Sequence, residues 1–385
     1  MIIQCTKSLL QKLGLKETDL VSSEGYEQFP ESFTAWHANY VKLNGCNVLV
    51  LMNNETRFPV VICKPTKKEL KDIDGLIRKG IAEALRMEGV REEVIEDYFN
   101  FAGEIVFSKT ASRSIVGKMN NAIRDLEIFE DYIDKNSTIQ RYISLITGRF
   151  ITNEGFYPIE KVLECLGVIY AFGEMADGNG VLDIDLYQLK IQLDLEGYEI
   201  WRRVLVPSTF SFRHLHNIIQ TVFDWQNYHL HEFTVKRKDM KPLIIVMDDD
   251  SETLDFVDPE SSDFQQERFV ALKDVFPKYK EVTYVYDYGD CWSHTITFEK
   301  VEKSKVFQAM FVEGKGERPP EDVGGLPGYE NYLSIIEDES HPEYEEIKEW
   351  AKGQSERKLS PEQINKRLKL VISAGGYSTY VSNLW

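Results

Sequence analysis

No two cysteines in this chain stand in a Cys-x-x-Cys arrangement, no apolar run is long enough to cross a bilayer, and no stretch is strongly basic. Each absence removes a class of protein. The five cysteines, Cys5, Cys46, Cys63, Cys165 and Cys291, are odd in number and widely scattered, which argues against a disulfide framework and against a thiolate zinc site. A reducing cytoplasm is the expected compartment. The most apolar window, 162–172, is interrupted by Glu164 and too short to span, and the first residues turn polar too soon for a secretory leader, so no membrane role is expected. Gly-x-Gly-x-x-Gly, P-loop and Gly-x-Ser-x-Gly signatures are missing, which leaves nucleotide-dependent and α/β-hydrolase mechanisms without support. The chain names no cofactor.

Positive charge is also scarce. The formal net charge of -18 is spread unevenly: residues 1–138 hold 18 Lys+Arg against 21 Asp+Glu, and the remaining 247 residues hold 27 against 42. A region this acidic repels a phosphate backbone unless a basic stripe overrides it, because sequence-independent nucleic-acid binding rests on Lys and Arg displacing counterions. The nearest candidate, Lys236-Arg-Lys238, is a three-residue run at the end of an expected strand. Non-specific nucleic-acid binding is therefore not expected.

What is present is a chain of 385 residues, 43% hydrophobic and 12% aromatic, long enough for two cores. The expected class is α+β, with two domains, each a mostly antiparallel sheet packed with helices. Residues 1–138 read as the first unit. A short strand ends at Thr6, which can cap a helix through Leu9, Leu10 and Leu13; alternating runs at 36–43, 48–52 and 59–63, separated by Asn44-Gly45 and a polar turn at 53–56, predict a β-meander. Leu70, Ile73, Ile77, Ile81 and Leu85, and then Val116, Met119, Ile123, Leu126 and Ile133, recur at helical spacing. Residues 139–180 read as a helical connector with one helix at 159–170, and the glycines of 176–180 place the junction there. The run Asp248-Asp-Asp250 reads as an exposed loop.

Residues 181–385 read as the second unit. Leu189, Ile191, Leu193 and Leu195 alternate with polar residues, and the chain returns through 200–206 after Gly197, a hairpin with one wet face. A helix from Ser211 follows, then a strand carrying His229-Leu-His-Glu-Phe233, strands at 282–287 and 291–299 around a turn at Gly289, and three closing helices. The last helix has Ser360 as N-cap, Pro361 at its first position and Gln363 completing a capping box.

Two stretches in this unit are denser in turn formers, carboxylates and aromatics than a structural loop requires. They are Tyr286-Asp-Tyr-Gly-Asp-Cys-Trp-Ser-His294 and Glu317-Arg-Pro-Pro-Glu-Asp-Val-Gly-Gly-Leu-Pro-Gly-Tyr329. Strand alternation puts His229 and His231 on one face, and His294 on a face with Trp292, Ile296 and Phe298. Three imidazoles on apolar faces could converge on a metal, with Asp287 or Asp290 as oxygen ligand. Half-buried histidines bonded to backbone or carboxylate are commoner than ligands, so no metal is assigned. His214 and His216 lie two apart on a helix, and His216 is the one expected to look inward. The Tyr286–Asp290 stretch has a plain reading as a hairpin in which Gly289 supplies a positive φ. Glu321 and Asp322 read equally as an acid/base pair or as carboxylates that hold their own loop together. The candidate binding site is His216, Trp225, His229, His231, Asp287, Asp290, Trp292, His294, Glu321 and Asp322, with the carboxylates as partners for the histidines; no catalytic residue is assigned. In the first unit, Trp36-His37 and Ser108-Lys-Thr110 with Arg113-Ser114 could bind an anion before a helix, or the segment could be an ordinary N-cap made by Ser112 or Ser114.

The ordered series Leu189-Lys-Ile, Trp201-Arg-Arg-Val204, Leu215-His216, Trp225, His229-Leu230, Phe233, Tyr286-Asp-Tyr-Gly-Asp290, Trp292, His294, Pro319-Pro-Glu-Asp322, Gly324-Gly325, Gly328-Tyr329, His341-Pro-Glu343, Trp350 and Asn365 resembles the plasmid ORF-three-like family, named after an open reading frame of a root-inducing plasmid. It spans about 186–370. Where members carry cysteines beside the Pro-Pro-Glu-Asp segment, this chain has Arg318 and Val323. Cys5-Thr-Lys, Trp36-His-Ala-Asn39, 54–58 and 108–120 are similar to an uncharacterised bacterial domain family. Neither resemblance implies an established activity. The expected function is a non-enzymatic binding or accessory protein whose C-terminal polar groove takes a protein or peptide partner. The alternative is a metal-assisted hydrolase or nucleic-acid-processing factor of a mobile element, so enzymatic activity is left open.

Overall fold

The computed structural model describes residues 1–110, 112–171, 179–247, 260–355 and 359–371. It divides into two compact units, Met1–Ile184 with Ser304–Phe307, and Asp185–Lys303 with the residues from Gln308 onward. Of the junction expected at 176–180, residues 176–178 lie outside the described residues, as does the acidic run at 248–250. Both units are α+β, and both sheets are mixed.

In the first unit, β1 (Ile2–Cys5), β2 (Ala35–Leu43), β3 (Cys46–Asn53), β4 (Pro59–Cys63) and β5 (Val106–Lys109) form a sheet of order β4-β3-β2-β1-β5. The meander β2-β3-β4 is antiparallel, as its short turns require, while β1 pairs parallel to both β2 and β5. The first apolar periodicity belongs to two helices. Asp72 interrupts it, ending α2 (Lys67–Lys71) and capping α3 (Ile73–Met87) by accepting from the Gly75 amide. The second continues only through α5 (Arg113–Ile128), with Ile133 beyond its end. The structure adds α4 (Glu92–Ala102), whose Val94, Ile95 and Tyr98 face the core, and α6 (Arg141–Gly148) before α7 (Pro158–Ala171). Trp36 and His37 are structural: Trp36 Nε1 donates to Tyr98 Oη at 2.9 Å, and buried His37 bonds Asn54, which bonds Gln4. Ser112 caps α5 through the Ile115 amide, the ordinary N-cap.

In the second unit eight strands form one sheet: β6 (Ile184–Leu193), β7 (Ile200–Pro207), β8 (His231–Val235), β9 (Leu243–Val246), β10 (Asp263–Gln266), β11 (Glu281–Tyr286), β12 (Trp292–Ser304) and β13 (Met310–Lys315), ordered β10-β9-β8-β11-β12-β6-β7-β13. Alternation along β6, β8, β11 and β12 turns Leu189, Ile191, Phe233, Tyr284, His294 and Ile296 inward. Helix α8 (Phe212–Phe223) buries Phe212, Leu215, Ile219 and Val222 on one side. The opposite sheet face is polar, where Arg203 grips Glu299 through two bonds of 2.7 and 2.9 Å. After the short helix α9 (Leu272–Val275), the chain closes with α10 (Gly325–Ile336), α11 (Tyr344–Ser355) and α12 (Pro361–Leu368), the last carrying the Ser360–Gln363 capping box.

Strand β13 ends the sheet, which exposes backbone groups that could recruit a further strand. Asn365 on α12 answers two of them: its Oδ1 accepts from the Phe311 amide at 2.8 Å and its Nδ2 donates to the Phe311 carbonyl at 3.3 Å. Asn365→Ala is expected to cost about 1–2 kcal/mol, the loss of two part-buried hydrogen bonds. Urea denaturation should show the midpoint falling without a change in slope; an unchanged midpoint would mean the edge is held by packing alone.

Candidate functional site

The β8–β11 and β11–β12 registers set the inner part of the site. His231, Tyr286 and Trp292 lie in one cross-strand row, and Phe233, Tyr284 and His294 in the next, all facing α8. Four histidines are therefore core residues. His231 stacks on His216 at 3.5 Å with planes 7° apart, and its Nε2 lies 3.0 Å from Glu267, which also pairs with Arg213 at 2.7 Å. Burial works against the Glu267 charge, yet His231, Arg213 and His216 together hold its carboxyl well below the ordinary range. His216 bonds Tyr284 Oη and Asn227, and burial, helped by His231, pushes it far down. His294 Nδ1 lies 3.0 Å from the Trp292 carbonyl, and burial lowers it to about 4. His214, buried as well, caps its own helix at Ser211, so it is not only His216 that looks inward.

His229 departs from this set. Strand β8 begins at His231, so His229 sits in the irregular approach to it, where the alternation of a strand does not apply. His229, His231 and His294 do not converge on one point: His231 bonds Glu267 and His294 the Trp292 carbonyl. His229 points instead at three carboxylates. Its Nε2 is 3.4 Å from Asp287 Oδ2, 3.1 Å from Asp322 Oδ1 and 3.8 Å from Glu321 Oε2. Tyr228 and Tyr286 flank the ring at 4.5 and 5.6 Å.

Each carboxylate has one oxygen held by the fold and the other turned to His229. Asp287 Oδ1 accepts from the amides of Gly289 at 2.8 Å and Asp290 at 3.3 Å. Glu321 Oε1 accepts from the Gln226 amide at 2.6 Å and from Tyr286 Oη at 3.4 Å. Asp322 Oδ2 accepts from Tyr228 Oη at 2.9 Å. Burial raises Glu321 above the ordinary carboxyl range, against the pull of the Gln226 amide, Arg318 and His229. Asp290 Oδ2 accepts from the Gly324 amide, and Gly325 packs so closely on the Asp290 carbonyl that a Cβ there would lie 3.0 Å from it. The two unusual loops are thereby stapled together.

Their backbone is strained where they meet. The hairpin at 287–291 puts the positive φ on Asp287 and Cys291, at 59° and 57°, and not on Gly289; Asp322 has φ 58°. Aspartate tolerates this conformation better than most residues because its short polar side chain can bond locally. Beneath the loops Trp225 stacks on Trp292 at 5.9 Å, and Arg318 lies over Trp225 at 4.7 Å while donating to the carbonyls of Phe223 and Asp224 at the end of α8. Positive charge at a helix C-terminus is favourable. Arg318, at a position flanking the Pro-Pro-Glu-Asp segment, therefore fixes the loop that carries Glu321.

Of the ten candidate residues, His229, Asp287, Glu321 and Asp322 meet at one point and Asp290 joins the loops behind them; Trp225 and Trp292 form the floor, while His216, His231 and His294 belong to the core. Sequence reasoning missed Glu267, Arg213, Tyr228 and Gln226. Glu267 starts a three-residue 3-10 helix, too short for any periodicity to mark it as buried, and the contact of Gln226 is through its backbone, which no residue type announces.

Close to this point is an open groove of about 700 Å³, bounded by β13, the end of α8, and α10 to α12. One wall is Val222, Phe223, Tyr329, Tyr332, Leu333 and Ile336; another is the strand from Phe311 to Gly316. Arg202 and Arg318 line it with their hydrogen bonds directed mainly to carbonyl groups, and burial lowers Arg202 to about 10.

These features define a two-unit α+β protein whose C-terminal unit presents a histidine–carboxylate cluster on two stapled loops. Residues 185–367 match the family model of the plasmid pRiA4b ORF-3-like protein, and residues 2–161 that of a domain of unknown function, DUF6933. The chain is similar to the uncharacterized protein y4hQ of Sinorhizobium fredii, 31% identical over 164 residues that make up 42% of this chain and 79% of that protein. It is also similar to a solved protein of unknown function, MM3350 from Methanosarcina mazei, at 33% identity and TM-score 0.40, covering 46% of this chain and 97% of the other. Through its C-terminal unit the chain belongs to the plasmid pRiA4b ORF-3-like family. Among the described residues no helix is long and apolar enough to cross a membrane.

Proposed function

We propose that the protein is a non-enzymatic binding protein, and that the groove beside β13 takes an extended segment of a partner protein. The observation that carries this reading is the groove itself, with an apolar, aromatic wall facing the backbone of a sheet-edge strand. Peptides added at a strand edge gain main-chain hydrogen bonds for affinity, while alternate side chains enter pockets for specificity. The exposed Val312 on β13 and the partly exposed Leu333 and Ile336 across from it supply such pockets. The guanidinium groups of Arg202 and Arg318 favour an acidic group on the bound segment. The acidic balance of the C-terminal unit supports a protein partner over a nucleic acid.

Selection of a displayed random-peptide library on the full chain tests this. Enriched peptides should combine apolar residues with an acidic one, and Leu333→Glu should weaken them by more than about tenfold, or 1.4 kcal/mol. Val301→Glu, on exposed surface outside the groove, should not. Failure to enrich any peptide, or equal losses in the two variants, would remove the groove as the binding site.

A further inference from the structure

We propose that His229, Asp287, Glu321 and Asp322 form a binding site for a divalent first-row transition-metal ion. This goes beyond the peptide-binding reading and does not depend on it.

The geometry is that of a ligand set. His229, Asp287 and Asp322 each offer one donor atom, and these atoms lie within 4.8 Å of one another. From His229 Nε2 to the three carboxylate oxygens the separations are 3.1, 3.4 and 3.8 Å, close to the donor spacing around a small bound ion. A zinc-type ion with bonds of roughly 2.0–2.2 Å has donor atoms about 3.3–3.6 Å apart.

The second observation is buried and independent of the acidic count. Glu321 is fully buried, and its Oε2 has no hydrogen-bond partner; nor has His229 Nε2, although three carboxylate oxygens surround it. A protonated imidazole would aim its N–H at one of those oxygens, and none of the contacts has that alignment. Donor atoms that converge without bonding one another are what a shared cation accounts for. Leaving a buried carboxylate oxygen unsatisfied is costly, so a fold that keeps it has something to gain there.

The supporting shell is built in the same sense. The amides of Gly289 and Gln226 and the hydroxyl of Tyr228 each hold the far oxygen of one carboxylate and aim the near one inward. Outer partners of this kind orient metal ligands and tune their affinity. Asp287 and Asp322 also sit at positive φ, local strain that the cluster turns to use. One imidazole nitrogen with carboxylate oxygens suits Mn²⁺ through Zn²⁺ better than Mg²⁺, which prefers oxygen and water.

Isothermal titration of the chelator-treated full chain with Zn²⁺ is the test, with Mn²⁺ and Mg²⁺ as comparators. One Zn²⁺ should bind per chain, more tightly than Mn²⁺, and Mg²⁺ should bind weakest. His229→Gln and Asp322→Asn should abolish the saturable phase, and Tyr228→Phe should weaken it about tenfold. Asp322 is exposed, and Asn accepts its backbone conformation, so this variant reports on binding even where His229→Gln fails to fold. His341→Gln, at a partly buried histidine elsewhere, should bind as the native chain does. Absence of saturable Zn²⁺ binding, its survival in Asp322→Asn, its loss in His341→Gln, or a preference for Mg²⁺ would each overturn the site. Peptide binding by the groove is read separately, so its failure leaves this result intact.

Discussion

Glu267→Ala is expected to destabilise the C-terminal unit by about 3–5 kcal/mol, the cost of breaking a buried ion pair from one side. Glu267 is fully buried and bonds two groups at once, the Arg213 guanidinium at 2.7 Å and the His231 ring at 3.0 Å. Without it Arg213 loses the buried carboxylate it pairs with, and so does the stacked pair His231 and His216. The same loss loosens α8, because both Arg213 and His216 project from it. Tryptophan fluorescence follows the change well, since Trp36 is the one tryptophan outside residues 185–385. A urea transition shifted by less than about 1 kcal/mol would mean that the network is dispensable to packing.

The second large effect is loss of stability in mild acid. Burial lowers His294 from about 6.5 in the unfolded chain to about 4, and burial, helped by His231, lowers His216 as well. The unfolded chain therefore binds protons that the folded chain refuses, and stability falls as pH drops from about 6.5 toward the folded values. For His294 alone the full difference is about 3 kcal/mol, of which about 2 kcal/mol has gone by pH 5. Glu267 acts in a lower window: its carboxyl is held below the ordinary range, so its contribution is present above about pH 4.5 and is lost only below that. Unfolding free energies at pH 7 and pH 5 for the native chain and His294→Phe separate these effects. The variant keeps an aromatic ring among Phe223, Trp225 and Tyr284 but has no proton to take up, so its pH 5 penalty should be smaller by about 2 kcal/mol. Equal penalties would show that His294 does not titrate as its burial requires.

His294 and His229 illustrate how much of the site could be read from the sequence. His294 falls on the inner face of β12 as alternation predicts, because the strand is long and one face is polar. His229 lies before its strand instead, since β8 starts two residues later and no residue type marks that boundary. The loop at 287–291 was legible as a turn from its composition, but Gly289 is not the residue that takes the positive φ. That choice follows from the closure of the loop, where the Cys291 amide donates to the Asp287 carbonyl at 2.6 Å and Asp287 caps the amides that follow.

Periodicity, capping residues and turn formers act over a few residues, and so the meander at 35–63, the hairpin of β6 and β7, helix α8 with its apolar side, the Ser360 cap and the α+β class are legible in the sequence. It also singled out the two loops, because turn formers and carboxylates crowd there without a local structural need. What joined those loops is not local. The parallel placement of β1, the eight-strand order, the Glu267 network and the meeting of His229 with Asp287, Glu321 and Asp322 each pair residues from about 30 to over 90 positions apart in the chain. Such pairs are chosen by which faces can be buried together and which backbone groups then need partners, and only the tertiary structure decides that.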